Sequence, residues 1–256
     1  MMMTSNFIWY ELMTTDVDAA QKFYGHVVGW KTTDSGQADI NYRILMAKDE
    51  GIGGITAIPV EAISMGMKPI WFGYVNVPDV DAAITQITAA GGLVQWPATD
   101  IPNAGRIARM TDPQGASFYI MTPSGEGKST AYAEGVPGHC SWNELRTSDG
   151  KAGLRFYSEQ FGWTNTNSMD MGPMGTYHVF SAGSGDIGGM MTMSPECQTP
   201  MWLYYFCVDD IEAAMERVVA AGGIVSFGPQ QVPGGGWIIH ATDPQQCKFA
   251  LVGPKN

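Results

Sequence analysis

The sequence predicts an α+β fold assembled from four βαβββ modules in tandem, and three observations predict it. The stretch "DVDAA" stands at residues 16–20 and again at 79–83, with near copies "DGKAG" from Asp149 and "DIEAA" from Asp210. Each copy follows a short strand-like run and opens a helix-like one. After each helix come β-rich runs separated by Gly and Asp-Pro turns, among them "NYRILMA", "GGITAI", "TYHVFSA" and "GGWIIHAT".

The helices come first in the argument because their start device is what recurs. An Asp at the first position caps a helix, its carboxylate accepting from open N–H groups of the first turn. Asp18, Asp81 and Glu212 add a second negative charge where the helix dipole favours it. Val17, Ala20, Phe23, Tyr24, Val27 and Val28 recur at helical spacing and predict the face that lies on a sheet. Copies two and four end at "AAGG", a glycine stop signal; copies one and three end at "GW".

The modules pair into two homologous halves. "WYELMTTDVDAAQKFYGHVVGWKTTD" from Trp9 matches "WNELRTSDGKAGLRFYSEQFGWTNTN" from Trp142 without a gap. "GIGGIT" answers to "DIGGMM", "WFGYVNVPDVDAAITQITAAGGLV" to "WLYYFCVDDIEAAMERVVAAGGIV", and "TDPQGASFYIMTP" to "TDPQQCKFALVGP", always in the same order. The expected organisation is a first domain over 1–124, a linker over 125–136 rich in small and turn-forming residues, and a second domain over 137–256.

Bulk composition narrows the function classes. Hydrophobic residues make up 45% of the 256, enough for a buried core. The formal net charge is −11, which repels phosphate backbones, so nucleic acid is not an expected partner. No stretch reaches the length and apolarity of a membrane span, and the N-terminal "MMMTSNFIWYEL" has neither a basic start nor an apolar secretory segment. A cytoplasmic protein is expected. Cys140, Cys197, Cys207 and Cys247 form no CxxC pair and read as reduced core thiols.

Four such modules, with "D-x-x-x-A-x-x-F-Y-x-x-x-x-G-W" after the first strand of each half and the "DP-x-G" turn at Asp112–Gly115, resemble the vicinal oxygen chelate superfamily. That group includes glyoxalase I, extradiol dioxygenases, and fosfomycin- and bleomycin-resistance proteins. The "W-x-E-L-x-T-x-D" opening is most similar to a tandem two-domain bacterial glyoxalase-like subgroup. The resemblance implies two glyoxalase-like domains, each a cupped, eight-stranded mixed sheet around a ligand cavity.

It also implies a divalent metal held by His, Gln or Glu at fixed strand positions. Those positions fall here on Trp9, Trp142, Phe72, Leu203, Tyr119 and Ala250, and neither "GGITAI" nor "GGMMTM" offers a histidine or carboxylate. A divalent site needs several hard or imidazole ligands together. The expectation is therefore no metal and no cofactor.

Strand alternation puts Glu11 beside Trp9 on the cup face, and Glu144 and Arg146 beside Trp142. Phe72, Tyr74, Tyr119, Tyr205 and Lys248 are expected to line the same faces as ligand-binding residues. Glu11 and Glu144 are the candidate catalytic groups, since a carboxylate in an apolar cup is suited to proton transfer. The alternative is that each pairs with a local Arg or with backbone N–H groups. Arg146 is expected either to meet an anionic group, as an arginine does in the glyoxalases, or to neutralise Glu144.

Trp9, Trp71, Trp142 and Trp202 recur as core anchors would, and Trp30 and Trp163 read as packing. Tyr42 and Tyr177, with His178, lie on a middle strand within reach of a pocket. His26, His139, His178 and His240 are not repeated between halves and read as structural or exposed. "PGGGWI" lacks the helix and Lys-Ser/Thr of a phosphate loop.

Two functions follow. One is a metal-independent binding protein of the bleomycin-resistance kind, holding a planar or cationic small molecule, as a monomer with an internal pseudo-dimer or as a homodimer. The other is a glyoxalase-like lyase or isomerase with Glu11 or Glu144 as base.

Overall fold

The computed structural model describes residues 5–36, 40–125, 127–183, 185–194 and 199–256; Cys197 lies outside them. The first module comprises β1 (Phe7–Thr14), α1 (Val17–Val27), β2 (Lys31–Asp34), β3 (Arg43–Ala47) and β4 (Glu50–Ala57). A short α2 (Val60–Ser64) leads to the second: β5 (Ile70–Asn76), α3 (Val80–Ala89), β6 (Leu93–Ile101), β7 (Gly105–Thr111) and β8 (Ser117–Pro123). The third holds β9 (Cys140–Thr147), α4 (Gly150–Phe161), β10 (Thr164–Asp170), β11 (Thr176–Ser181) and β12 (Asp186–Thr192). The fourth holds β13 (Met201–Cys207), α5 (Ile211–Ala220), β14 (Ile224–Gln231), β15 (Trp237–Thr242) and β16 (Lys248–Gly253).

The strands form two eight-stranded mixed sheets of identical topology, β2-β3-β4-β1-β5-β8-β7-β6 and β10-β11-β12-β9-β13-β16-β15-β14. In each module of the second sheet the first strand pairs in parallel with the last, β9 with β12 and β13 with β16, and β1/β4 and β5/β8 do the same in the first. The α+β architecture expected from the repeat is the one observed.

All four repeated aspartates cap their helices. Asp16, Asp149 and Asp210 accept from the backbone N–H three residues on, at 2.8–2.9 Å, and Asp79 accepts from Asp81 and Ala82. Each of these helices is followed within two residues by a glycine at positive φ, Gly29, Gly91, Gly162 or Gly222, where a side chain would be strained.

The chain divides into two compact units that do not follow the two sequence halves. One gathers Met1–Ile8, Gly73–Lys128 and Trp142–Trp202; the other gathers Trp9–Phe72, Ser129–Ser141 and Leu203–Asn256. Each unit thus joins one module of either half, with α3 against α4 in the first and α1 against α5 in the second. Part of the stretch expected as linker is packed: Ala131 is fully buried and Tyr132 bridges to Cys140.

The core of each unit is an aromatic cluster built around one buried polar triad. In the second unit Trp71 Nε1 donates to Tyr24 Oη (3.0 Å), and Tyr24 Oη donates to Asp243 Oδ2 (3.0 Å). In the first unit Trp202 Nε1 donates to Tyr157 Oη (3.1 Å), which donates to Asp112 Oδ2 (3.2 Å). The other carboxylate oxygen accepts two turn N–H groups, from Gln245 and Cys247 or from Gln114 and Ala116. The Asp-Pro turn of one half is therefore tied to the first helix of the other half by hydrogen bonds among fully or nearly fully buried groups. Around the triads, Trp30 packs on Phe206 (4.9 Å) and Trp163 stacks on Phe180 (4.7 Å). Trp30 Nε1 donates to Gly138 O and Trp163 Nε1 to Ser5 O, both at 2.7 Å. Trp71, Trp202, Trp30 and Trp163 are core residues, as the repeat suggested. Cys140, Cys207 and Cys247 are buried free thiols, and burial pushes the Cys207 and Cys247 thiols up, away from the reactive thiolate.

Removing the Tyr157 hydroxyl strands both an indole N–H and a carboxylate oxygen in the core. Tyr157→Phe is expected to lower stability by about 2–3 kcal/mol, measured by urea unfolding, and Tyr24→Phe to do the same. Burial holds the Asp112 and Asp243 carboxyls above the ordinary range, against the opposing pull of their turn N–H bonds. The folded state then binds their protons more tightly than the unfolded chain, so their contribution to stability falls as pH rises from the ordinary to the raised value. That slope should shrink in Asp112→Asn, as read from unfolding midpoints across mildly acidic pH.

Candidate functional site

Alternation along the strands separates the core face from the opposite one. Tyr10, Leu12, Val75 and Ile120 are fully buried on the helix side, so Trp9, Glu11, Tyr74 and Tyr119 face the other way. The expected site residues lie on that opposite face, in clusters belonging to the separate units.

The most connected cluster is in the first unit. Trp142 and Glu144 project from β9, and Tyr177 comes from β11, two strands away across β12. Trp142 Nε1 donates to Tyr177 Oη at 2.7 Å, and Tyr177 Oη donates to Glu144 Oε2 at 3.1 Å. Arg146 Nε closes the chain on Glu144 Oε1 at 2.7 Å. Glu144 is 6% exposed, so its carboxylate is largely removed from water, and the Arg146 guanidinium and the Tyr177 phenol both bond it. Burial, then the Glu144 charge, push Tyr177 well above the ordinary phenol value, so it stays a neutral donor.

The intervening strand explains how a tyrosine ring fits there. A Cβ on Gly188 would strike Asn143 O, and one on Gly189 would strike the Tyr177 ring. The first glycine admits the backbone of β9; the second is the floor on which the tyrosine lies. The second unit repeats the device. Trp9 Nε1 donates to Tyr42 Oη at 2.8 Å, a Cβ on Gly53 would meet Tyr10 O, and one on Gly54 would meet the Tyr42 ring. Glu11, 7% exposed, lies opposite Gly54 as Glu144 lies opposite Gly189. Met13 stands in the place of Arg146.

A second arrangement in each unit comes from the modules that close the sheets. In the first unit Tyr74 and Tyr119 are cross-strand partners with rings stacked 4.4 Å apart at 5°, and Arg109 is Tyr119's partner on the next strand. In the second unit the same register runs Tyr205, Ala250, His240, and Tyr205 Oη lies 2.9 Å from His240 Nε2. Phe72 and Leu203 are buried, and Lys248 is exposed opposite Thr242, at the start of β16. His139 bonds Thr130 O and His178 bonds Ser168, each a local structural contact, and His26 sits exposed in the last turn of α1.

Sequence reasoning placed Tyr177 and Tyr42 within reach of a site but did not join them to Trp142 and Trp9. The double glycines, read as part of the repeat and as strand positions without a metal ligand, carried the signal. Arg109 and His240 were missed as a pair because they differ in chemistry, although both stand two residues before a Thr-Asp-Pro turn.

A family model described as the Glyoxalase/Bleomycin resistance protein/Dioxygenase superfamily matches this chain twice, over residues 6–120 and 137–251. The chain belongs to that superfamily. It is 35% identical over 249 residues to CFP32 of Mycobacterium tuberculosis, provisionally named a glyoxylase, covering 96% of this chain and 94% of that one. It is 29% identical over 270 residues to the anthracycline biosynthesis protein DnrV of Streptomyces peucetius, covering 95% and 91%. Among solved structures, the Mn(II)-bound glyoxalase of Novosphingobium aromaticivorans superposes with a TM-score of 0.67 at 16% identity, covering 99% of this chain and 83% of that one. The 2,3-dioxygenase LapB of Pseudomonas sp. KL28 does so with the same score and identity, covering 99% and 94%. At that identity these two structures speak for the fold alone.

The metal that the fold family implies can be tested against the side chains present. Its expected positions hold two indoles already bonded to tyrosines, a phenylalanine, a leucine, an alanine and one stacked tyrosine. Among the described residues no three His, Cys, Asp or Glu side chains come together as a ligand group. This donor set does not fit a divalent ion. Among the described residues no helix is long and apolar enough to cross a membrane.

If Gly189 is the floor beneath Tyr177, Gly189→Ala displaces the ring and frees Trp142. A stability loss of about 1–3 kcal/mol and a shifted tryptophan emission are expected. Tyr177→Ala combined with Gly189→Ala should cost less than the two singles summed, measured as a double-mutant cycle.

Proposed function

We propose that this protein binds a planar small molecule on the aromatic faces of its sheets, without a metal, in the manner of the bleomycin-resistance branch of its superfamily. The observation that carries the reading is the tethering of Trp142, Tyr177, Glu144 and Arg146 into one hydrogen-bonded chain where the family's ligand-holding side chains would stand. Such a chain fixes a flat indole and an ion pair in place before a ligand arrives, which lowers the ordering cost of binding. Trp9 and Tyr42 offer a similar edge in the second unit, and Tyr74 and Tyr119 a stacked pair in the first. The name of DnrV links a relative to polycyclic aromatic chemistry, which agrees with a planar ligand. The negative net charge favours neutral or cationic ligands over nucleic acid.

The glyoxalase-like reading, with Glu11 or Glu144 as general base, is favoured by the provisional name of CFP32 and by the burial of both carboxylates. The ion pair weighs against Glu144, since its carboxylate is engaged by the Arg146 guanidinium at 2.7 Å rather than turned to a substrate. On its own strand Glu11 has Met13 in the arginine's place, so it is the glutamate chosen for the test.

Titration of chelator-treated protein with flat neutral and cationic aromatics, followed by tryptophan emission, should give saturable quenching that added divalent ions do not alter. Arg146→Met should weaken binding by about tenfold or more by leaving Glu144 buried and unneutralised. Absence of quenching across the panel, or quenching that requires metal, contradicts the binding reading. Turnover of the methylglyoxal–thiol adduct that survives chelator and is lost in Glu11→Gln would establish the enzyme in its place.

A further inference from the structure

Tyr177 has a methionine on either side of it. Met169 of β10 and Met191 of β12 are its partners on the two neighbouring strands, and Met191 in turn pairs with Arg146 of β9. Side chains directly opposite in a ladder share a face, so Arg146, Met191, Tyr177 and Met169 run in one row across four strands, on the face that carries Glu144. The other face is core. Leu145 and Met190, one residue before Arg146 and Met191, are fully buried, whereas Met191 and Met169 are half-buried. At the outer end of the row the hairpin between β10 and β11 turns through residues 171–175, where Met171 and Met174 are 39% and 57% exposed.

Two observations set these methionines apart from packing. Methionine is ordinarily a buried side chain, yet Met169, Met171, Met174 and Met191 lie half-buried or exposed along one row and its tip. The same places in the second unit are polar. Thr56 pairs with Met13 where Met191 pairs with Arg146, and Ser35 donates its N–H to the Tyr42 carbonyl where Met169 pairs with Tyr177. Both units seat their tyrosine on a glycine and bond it to a tryptophan, so neither step requires a methionine.

The polar atoms around the row are engaged with one another. Trp142 Nε1, the Tyr177 hydroxyl and both Glu144 oxygens form one chain, closed by Arg146 Nε. The Tyr177 ring lies on Gly189 and is half-buried, so part of it stays open beside the two thioethers. What remains to meet a ligand is soft, polarisable and poor in hydrogen-bond demand. A thioether makes favourable contacts with aromatic rings, and its unbranched, freely rotating chain refits itself to rings of different outline.

We propose that the row of Met169, Tyr177 and Met191 is the ligand platform of the first unit, taking neutral fused aromatic rings of differing outline, with Met169 and Met191 as the residues that set this breadth. The inference rests on the binding reading above and adds to it the ligand class, the unit and the residues that select the ligand.

The test uses the full chain, labelled with methyl-¹³C-methionine, and two isomeric probes, the linear 9-anthracenemethanol and the angular 9-phenanthrenemethanol, with affinities from equilibrium dialysis. Wild type is expected to bind the two isomers within about threefold of each other. Either isomer should move the Met169 and Met191 methyl signals, each identified as the one missing from its single leucine variant. Leucine keeps the apolar bulk but is branched and stiffer, so Met169→Leu with Met191→Leu should hold one isomer and weaken the other by about tenfold. Met169→Ser with Met191→Thr, which copies the second unit, should weaken both isomers by about tenfold or more. Thermal melts of the variants separate lost affinity from a lost fold, and the methyl signals of wild type decide the matter if a double variant does not fold. Binding that leaves both methyl signals unmoved overturns the inference. So does a tenfold preference between isomers in wild type, a leucine pair that keeps the wild-type ratio, or a serine–threonine pair that binds as wild type does. In each of these cases the probes still bind, and the wider binding reading stands. If wild type binds neither isomer, the inference falls, and a flat ligand from the wider panel still quenching tryptophan emission shows that the binding reading does not fall with it.

Discussion

A buried carboxylate that must never be left without donors is the constraint on which this fold turns. Asp112 and Asp243 each close an Asp-Pro turn, and each is satisfied by turn N–H groups on one oxygen and a tyrosine on the other. The tyrosine belongs to a helix of the opposite half and is itself held by an indole N–H. Three groups that would be costly to bury singly become tolerable together, because each supplies what the next one lacks. The aromatic clusters of both units assemble around that solution, and the helices are thereby fixed against the back of the strands.

With the back face fixed, the opposite face can hold side chains in strict register. The double glycines admit a neighbouring backbone and seat a tyrosine, which holds a tryptophan by its N–H. What the site then presents depends on few substitutions. Arg146 against Met13 decides whether the inward glutamate has a cation on its own strand, and Ala250 against Tyr119 decides whether a tyrosine stacks or hydrogen-bonds. These exchanges alter polarity while leaving strand geometry alone.

The repeat made the fold legible. The helix caps, the strand order within a module and the core role of Trp71 and Trp202 all follow from local chemistry: a capping Asp, a glycine stop, an alternation of faces. The pairing of modules into units drawn from both halves was not legible, because the tyrosine of "FY" and the aspartate of "TDP" that it meets lie 219 residues apart in one triad and 45 in the other, and no local pattern links them. In the site, Glu144 and Arg146 were readable as neighbours on one strand face, and the structure joins them. The link through Tyr177 was not, since it requires knowing that Gly189 lies beneath the ring. The matching places of Arg109 and His240 escaped because a cation and an imidazole at equivalent positions do not read as a repeat.

The interlocking of the halves has an evolutionary corollary. A duplicated gene usually leaves one copy at liberty to decay, but here each copy carries half of the other's interior, so neither can be discarded or exchanged without its counterpart. Drift is channelled to the outer surfaces of the sheets, and a lineage can invent new specificities there while its skeleton stays locked.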